Sequence, residues 1–178
     1  MASKKSKYDI FISYRRDGGF ETAKLIHEQL QKRGYRAFLD VEALRSGPFN
    51  TQLFHFIDEA SDFIIIISKN ALDRCHNEGD WVKEEITHAM AAKKNIIPII
   101  LAGASFPNPM PKGLEGLELY NGVNSSHEYF DAAIENLCKQ LYAKKSRTNK
   151  LKCLAAALIF IAIAALAFVA FAEKNTFR

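Results

Sequence analysis

The chain has 178 residues with 24 Lys+Arg, 20 Asp+Glu and a formal net charge of +4. Setting aside the five basic residues of 143–152 and the net +1 of 173–178 leaves 17 basic against 19 acidic residues in 1–142, so the basic balance is local and indicates no general nucleic-acid surface. The three cysteines are odd in number and widely spaced, and the five histidines do not cluster, which argues against a disulfide framework, a metal site or a catalytic thiol and for reduced thiols in the cytosol.

In chain order, residues 1–6 form a basic tail with no apolar signal-peptide core. Tyr8–Ser13 is a short apolar run and predicts a buried strand, followed by a charged, flexible loop over 14–19. Phe20–Lys32 carries Ala23, Ile26 and Leu30 at helical spacing, with Leu25 beside that stripe and Gly34 placed to end the helix. Tyr35–Leu39 predicts a second strand. Asp40–Pro48 predicts a loop, because Gly47-Pro48 is a strong breaker. Phe49–Ala60 predicts a helix with Leu53, Phe56, Ile57 and Ala60 inward. Phe63–Ile67 is apolar and β-branched throughout, the pattern of a central strand buried on both faces.

Ala71–Gly79 predicts a loop, and a helix runs from Trp81 to about Lys93. At ~100° per residue, Val82, Ile86 and Ala89 share its core face. Trp81, Glu85 and His88 follow the edge of that stripe, which puts Glu85 at a boundary between core and water. Most boundary glutamates only solvate a helix face. Ile96–Leu101 predicts a buried strand, with Pro98 pointing to a sheet edge or a bulge. Leu117–Tyr120 predicts a weak strand and Glu128–Tyr142 a final helix. Strands alternating with helices at this spacing predict an α/β fold with a central parallel sheet and helices on both faces. Ligands then bind at the carboxyl ends of the strands, here 15–19, 40–48 and 69–80.

Residues 143–152 form a basic linker, and 173–178 a short tail. Between them, 153–172 is a run of 20 uncharged residues, nine of them alanine. At ~1.5 Å per residue it spans about 30 Å, one hydrocarbon core, and predicts a transmembrane helix. The basic linker keeps the preceding domain on the cytoplasmic side of a single-pass, tail-anchored chain.

Several motifs fall in the order seen in one family. Asp9-Ile10-Phe11-Ile12-Ser13-Tyr14-Arg15-Arg16 resembles the opening box of TIR (Toll/interleukin-1 receptor) domains. Phe38-Leu39-Asp40 with Gly47-Pro48-Phe49 resembles their second strand and BB loop. Trp81-Val82-Lys83-Glu84-Glu85-Ile86 resembles the helix bearing the catalytic glutamate of NAD+-cleaving TIR domains. The resemblance covers roughly 7–142 and implies a flavodoxin-like TIR domain. It implies Glu85 as the catalytic residue, Trp81 as a substrate-stacking aromatic, Tyr14, Arg15 and Arg16 as contacts of the first loop, and Phe49 as a BB-loop aromatic shaping the pocket. Arg45, also counted with the substrate-binding set, stands where such relatives have an acidic residue near the nucleotide. The implied activity is cleavage of NAD+ to nicotinamide and ADP-ribose or a cyclic isomer, in signalling or defence. NAD+ is the substrate, and no cofactor or metal is needed. Activity would depend on a homo-oligomer of TIR–TIR contacts in which the BB loop of one protomer completes the site of the next. A non-catalytic TIR scaffold at a membrane is the alternative.

Overall fold

The computed structural model describes residues 7–39 and 50–145. The expected loop over 40–48, with Arg45, and the side chain of Phe49 lie outside them, as do the tail 1–6 and the expected membrane span 153–172. Among the described residues no helix is long and apolar enough to cross a membrane.

Five strands, β1 (Ile10–Tyr14), β2 (Ala37–Leu39), β3 (Asp62–Ile67), β4 (Asn95–Leu101) and β5 (Val123–Ser125), form one sheet in the order β2-β1-β3-β4-β5. Every pairing is parallel. Helices α1 (Arg16–Lys32), α2 (Asn50–Glu59), α3 (Trp81–Ala91) and α4 (Phe130–Gln140) alternate with the strands. Alternation predicts the parallel sheet, and the strand order is the flavodoxin-like one that the family resemblance implies. β3 lies at the centre and all six of its residues are buried, which is why Phe63–Ile67 is apolar without alternation.

Strand pleating sorts side chains into two layers. Ile10, Ile12, Tyr14, Ile64 and Ile66 pack with the Ala23-Ile26-Leu30 stripe of α1 and with Ile134 and Leu137 of α4. Phe11, Phe63, Ile65 and Ile67 pack with Leu53 and Ile57 of α2 and with Val82, Ile86 and Ala89 of α3. Leu25, beside the α1 stripe, is exposed.

Three expectations change. The segment 14–19 is not a loose loop: Asp17 (φ −65, ψ 108) and Gly18 (φ 76, ψ −1) make a type II turn, which requires positive φ at its third residue. Ser68 Oγ donates to the Asp17 carbonyl at 3.2 Å and ties that turn to the end of β3. Leu117–Tyr120 is not a strand. Leu117–Leu119 is one 3₁₀ turn, with Leu117 buried and Leu119 exposed, and the fifth strand is Val123–Ser125. Three residues are too few to show a period. Pro98 sits inside β4, second from the edge rather than on it. β5 pairs with β4 only from Ile99 onward, so the proline lies just before that second ladder begins.

Candidate active site

The carboxyl edge of the sheet brings together the end of β1, the turn after it, the loop after β3 and the start of α3. Asp80 begins α3 as its N-cap: the backbone there is extended, and the side chain accepts the Lys83 N–H at 3.1 Å. Aspartate is among the best residues for that position, since it satisfies an N–H the helix itself cannot.

Asp80 also receives Arg15. The guanidinium donates from Nη1 to Oδ2 at 2.8 Å and from Nη2 to Oδ1 at 2.9 Å, a fork that matches a carboxylate. Its Nε donates to the Ala71 carbonyl at 3.0 Å, and Nη2 reaches Cys75 Sγ at 3.5 Å. Both side chains are under a tenth exposed. Burial opposes the charge of each partner, but their mutual hydrogen bonds and charges outweigh it: Arg15 is held above its ordinary value and Asp80 below the usual carboxylate range. The Lys83 N–H adds to the effect on Asp80. Cys75, fully buried, donates to Asp80 Oδ1 at 3.4 Å. Burial and then the Asp80 charge push its thiol up to about 12, which makes it a poor nucleophile.

Glu85 follows one turn after Trp81. It is not at a boundary, as the helical spacing predicts, but fully buried. The cause is tertiary packing. Val82 and Ile86 seat α3 on the sheet, and Ser13 at the end of β1 points to the same layer as Phe11 and lies beneath Glu85. Ser13 Oγ donates to Glu85 Oε2 at 2.5 Å across 72 residues. Trp81 is half-buried. His88, along the same helix edge, instead meets Asp58 of α2 at 2.7 Å and stacks on Phe54.

The structure brings Trp81, Glu85 and the Arg15–Asp80 pair to one edge. It separates Tyr14, which is 2% exposed and whose ring packs on Phe20 in the other layer. Arg16 is exposed at the start of the type II turn. Sequence reasoning passed over Ser13 and Asp80. Asp80 had a signal, an aspartate directly before an amphipathic run. Ser13 had a weaker one, a hydroxyl on an otherwise apolar strand. A cleft of about 310 Å³ between Lys69–Asp73 and Gly103–Pro107 lies at this edge without including Trp81 or Glu85.

A parallel 2-1-3-4-5 sheet flanked by helices defines a flavodoxin-like α/β domain. The TIR-domain family model matches residues 10–138, and the chain belongs to that family. It is 40% identical over 138 residues to the NAD(+) hydrolase SARM1 of Danio rerio, covering 75% of this chain and 19% of that one. It is 38% identical over 155 residues to the NAD(+) hydrolase tir-1 of Caenorhabditis elegans, covering 84% and 16%. The chain thus spans less than a fifth of the length of these curated relatives. Among solved structures, the TIR domains of the activated Roq1 resistosome superpose with a TM-score of 0.60 at 15% identity, over 76% of this chain and 99% of theirs. A TIR-STING receptor from C. gigas superposes with a TM-score of 0.54 at 19% identity, over 82% and 44%. Both share the fold.

Proposed function

We propose that this TIR domain is an NAD+ glycohydrolase with Glu85 as its catalytic carboxylate. The observation that carries this reading is an acidic side chain fully buried one turn after Trp81 on α3, held by Ser13, in a domain 40% identical to a protein named an NAD(+) hydrolase. A buried carboxylate is costly to keep and is concentrated at functional sites.

The chemistry needs few groups. The C1′–N1 bond of NAD+ breaks with its electron pair passing to the nicotinamide nitrogen, whose positive charge is thereby neutralised. No general acid is required, unlike the two-carboxylate cleavage of ordinary glycosides. Glu85 stabilises the cationic ribose centre and orients its hydroxyls, and Trp81 offers a flat face to a ring. Water then adds at C1′ and loses a proton, giving ADP-ribose. Capture by an adenine nitrogen gives the cyclic isomer instead. Because Glu85 is buried in this state, substrate entry requires the site to open, and the active form proposed is an assembly in which the 40–49 loop of one protomer completes the site of the next.

The uncharged 153–172 run supports attachment to a membrane as a tail anchor, with the domain on the cytoplasmic side. Resistance to alkaline carbonate extraction, lost on removing 153–178, tests that part.

The full chain and its Glu85→Ala variant, each at several protein concentrations and on vesicles, are incubated with NAD+. The enzyme reading expects nicotinamide from the wild type, rising more than proportionally with concentration, and none from Glu85→Ala. No nicotinamide from the assembled wild type rejects the enzyme reading. Equal release from both proteins rejects the assignment of Glu85.

A further inference from the structure

We propose that Arg15 and Asp80 act as one positioning unit, fastening the first turn of α3 to the end of β1 and so setting where Trp81 and Glu85 stand. The inference rests on the enzyme reading above but concerns the geometry of the helix. It changes the role of Arg15, which the family resemblance makes a substrate contact.

Four observations support it. Arg15 spends both ends of its guanidinium on Asp80 and its Nε on the Ala71 carbonyl, so its donors are directed into the protein. It is 8% exposed, whereas Arg16 beside it is exposed. Asp80 is the N-cap of α3, so a force on its carboxylate is transmitted to the first helical residue, Trp81, and one turn on to Glu85. Ser13, which holds Glu85, and Arg15, which holds Asp80, are two residues apart at the same strand end. The end of β1 and the residue just after it therefore grip α3 at two points, one at its cap and one at its carboxylate. A cap held alone would let the helix pivot, and a carboxylate held alone would let the first turn slide.

The sequence supplies its own probe. Trp81 is the single tryptophan of the chain and the first residue of α3, so intrinsic fluorescence reads the clamp without substrate. Cys75, buried against both partners, supplies a second probe through its labelling rate once Cys138 and Cys153 are replaced by serine.

The full chain in that background is compared with Arg15→Lys, Asp80→Asn and the double variant, each shown to be folded by its thermal melt. Asparagine is also a good N-cap, so Asp80→Asn removes the charge while keeping the helix start. With NAD+ absent, each single variant should red-shift Trp81 emission and speed labelling of Cys75 by 5,5′-dithiobis(2-nitrobenzoate) at least about tenfold, because the shared contact is lost. With NAD+ present, kcat should fall about ten- to a hundredfold with KM within about twofold, the pattern of a misplaced reacting group. The double variant should be no worse than the worse single, since one interaction is lost only once. The proposal is overturned if Arg15→Lys raises KM alone while Asp80→Asn is silent, which is the behaviour of a substrate contact. It is equally overturned if emission and labelling stay at wild-type values. Should the wild type release no nicotinamide, the enzyme reading falls, and emission and labelling still decide the clamp.

Discussion

Ser13 and Glu85 show how much one hydroxyl can matter when it faces a fully buried carboxylate. Loss of a hydrogen bond that leaves a buried polar group unsatisfied costs about 1–3 kcal/mol, equivalent to roughly five- to a hundredfold in a rate it supports. Ser13→Ala should therefore lower kcat for NAD+ by that order while the fold persists, measured by nicotinamide release beside a circular-dichroism melt. Asp80 carries a pH prediction. Its carboxyl is held below the usual range in the folded chain, so its contribution to stability is complete above its unfolded value of about 4 and is lost as pH falls through the lower, folded value. Unfolding free energy should thus decline below about pH 4 in the wild type, and Asp80→Asn should remove that part of the slope, read by urea titrations across pH.

Among the elements, the two helix ends that frame β2 and β4 use one device with different residues. α1 closes with Tyr35 N–H on the Leu30 carbonyl at 3.0 Å and Gly34 N–H on that of Gln31 at 2.9 Å, with Gly34 at φ 88. α3 closes in the same way, Lys94 N–H on Ala89 and Lys93 N–H on Met90, both at 3.0 Å, but the residue at positive φ is Lys93. A side chain in the left-handed region costs roughly 1 kcal/mol. Lys93 is exposed, and Lys93→Gly should raise stability by up to about 1 kcal/mol, seen as a higher urea midpoint at unchanged slope. The type II turn at Asp17-Gly18 is the reverse case, where glycine already meets the demand. The pattern Asp-Gly-Gly signalled a break, and only contact with Ser68 shows that the break is an ordered turn.

Across the whole molecule, the sheet has two working ends. The carboxyl edge holds the candidate site. At the opposite edge Asp62, fully buried at the start of β3, accepts hydrogen bonds from Ser61 Oγ, Asn95 Nδ2 and the Tyr142 and Ala143 N–H groups. It anchors the chain after α4, where the basic linker begins. Asp62→Ala should cost about 1–3 kcal/mol, because the part-buried donors that converge on this buried acceptor lose it together, and urea denaturation of the full chain measures it.

The sequence by itself determined the alternation of elements, the central strand, the core faces of α1 and α3, and the family. These rest on periodicity and on short motifs, which are local. It also singled out Trp81 and Glu85. Tertiary structure decided how deeply Glu85 lies, that Tyr14 faces the other layer, that Arg15 is bound to Asp80, and that the last strand is 123–125 rather than 117–120. Each of these depends on residues far apart in the chain. A helical wheel reports the angle of a side chain about its axis but not what covers it. Ser13 and Glu85 are 72 residues apart and Arg15 and Asp80 are 65 apart, and only the packing of α3 across the end of β1 brings each pair into contact.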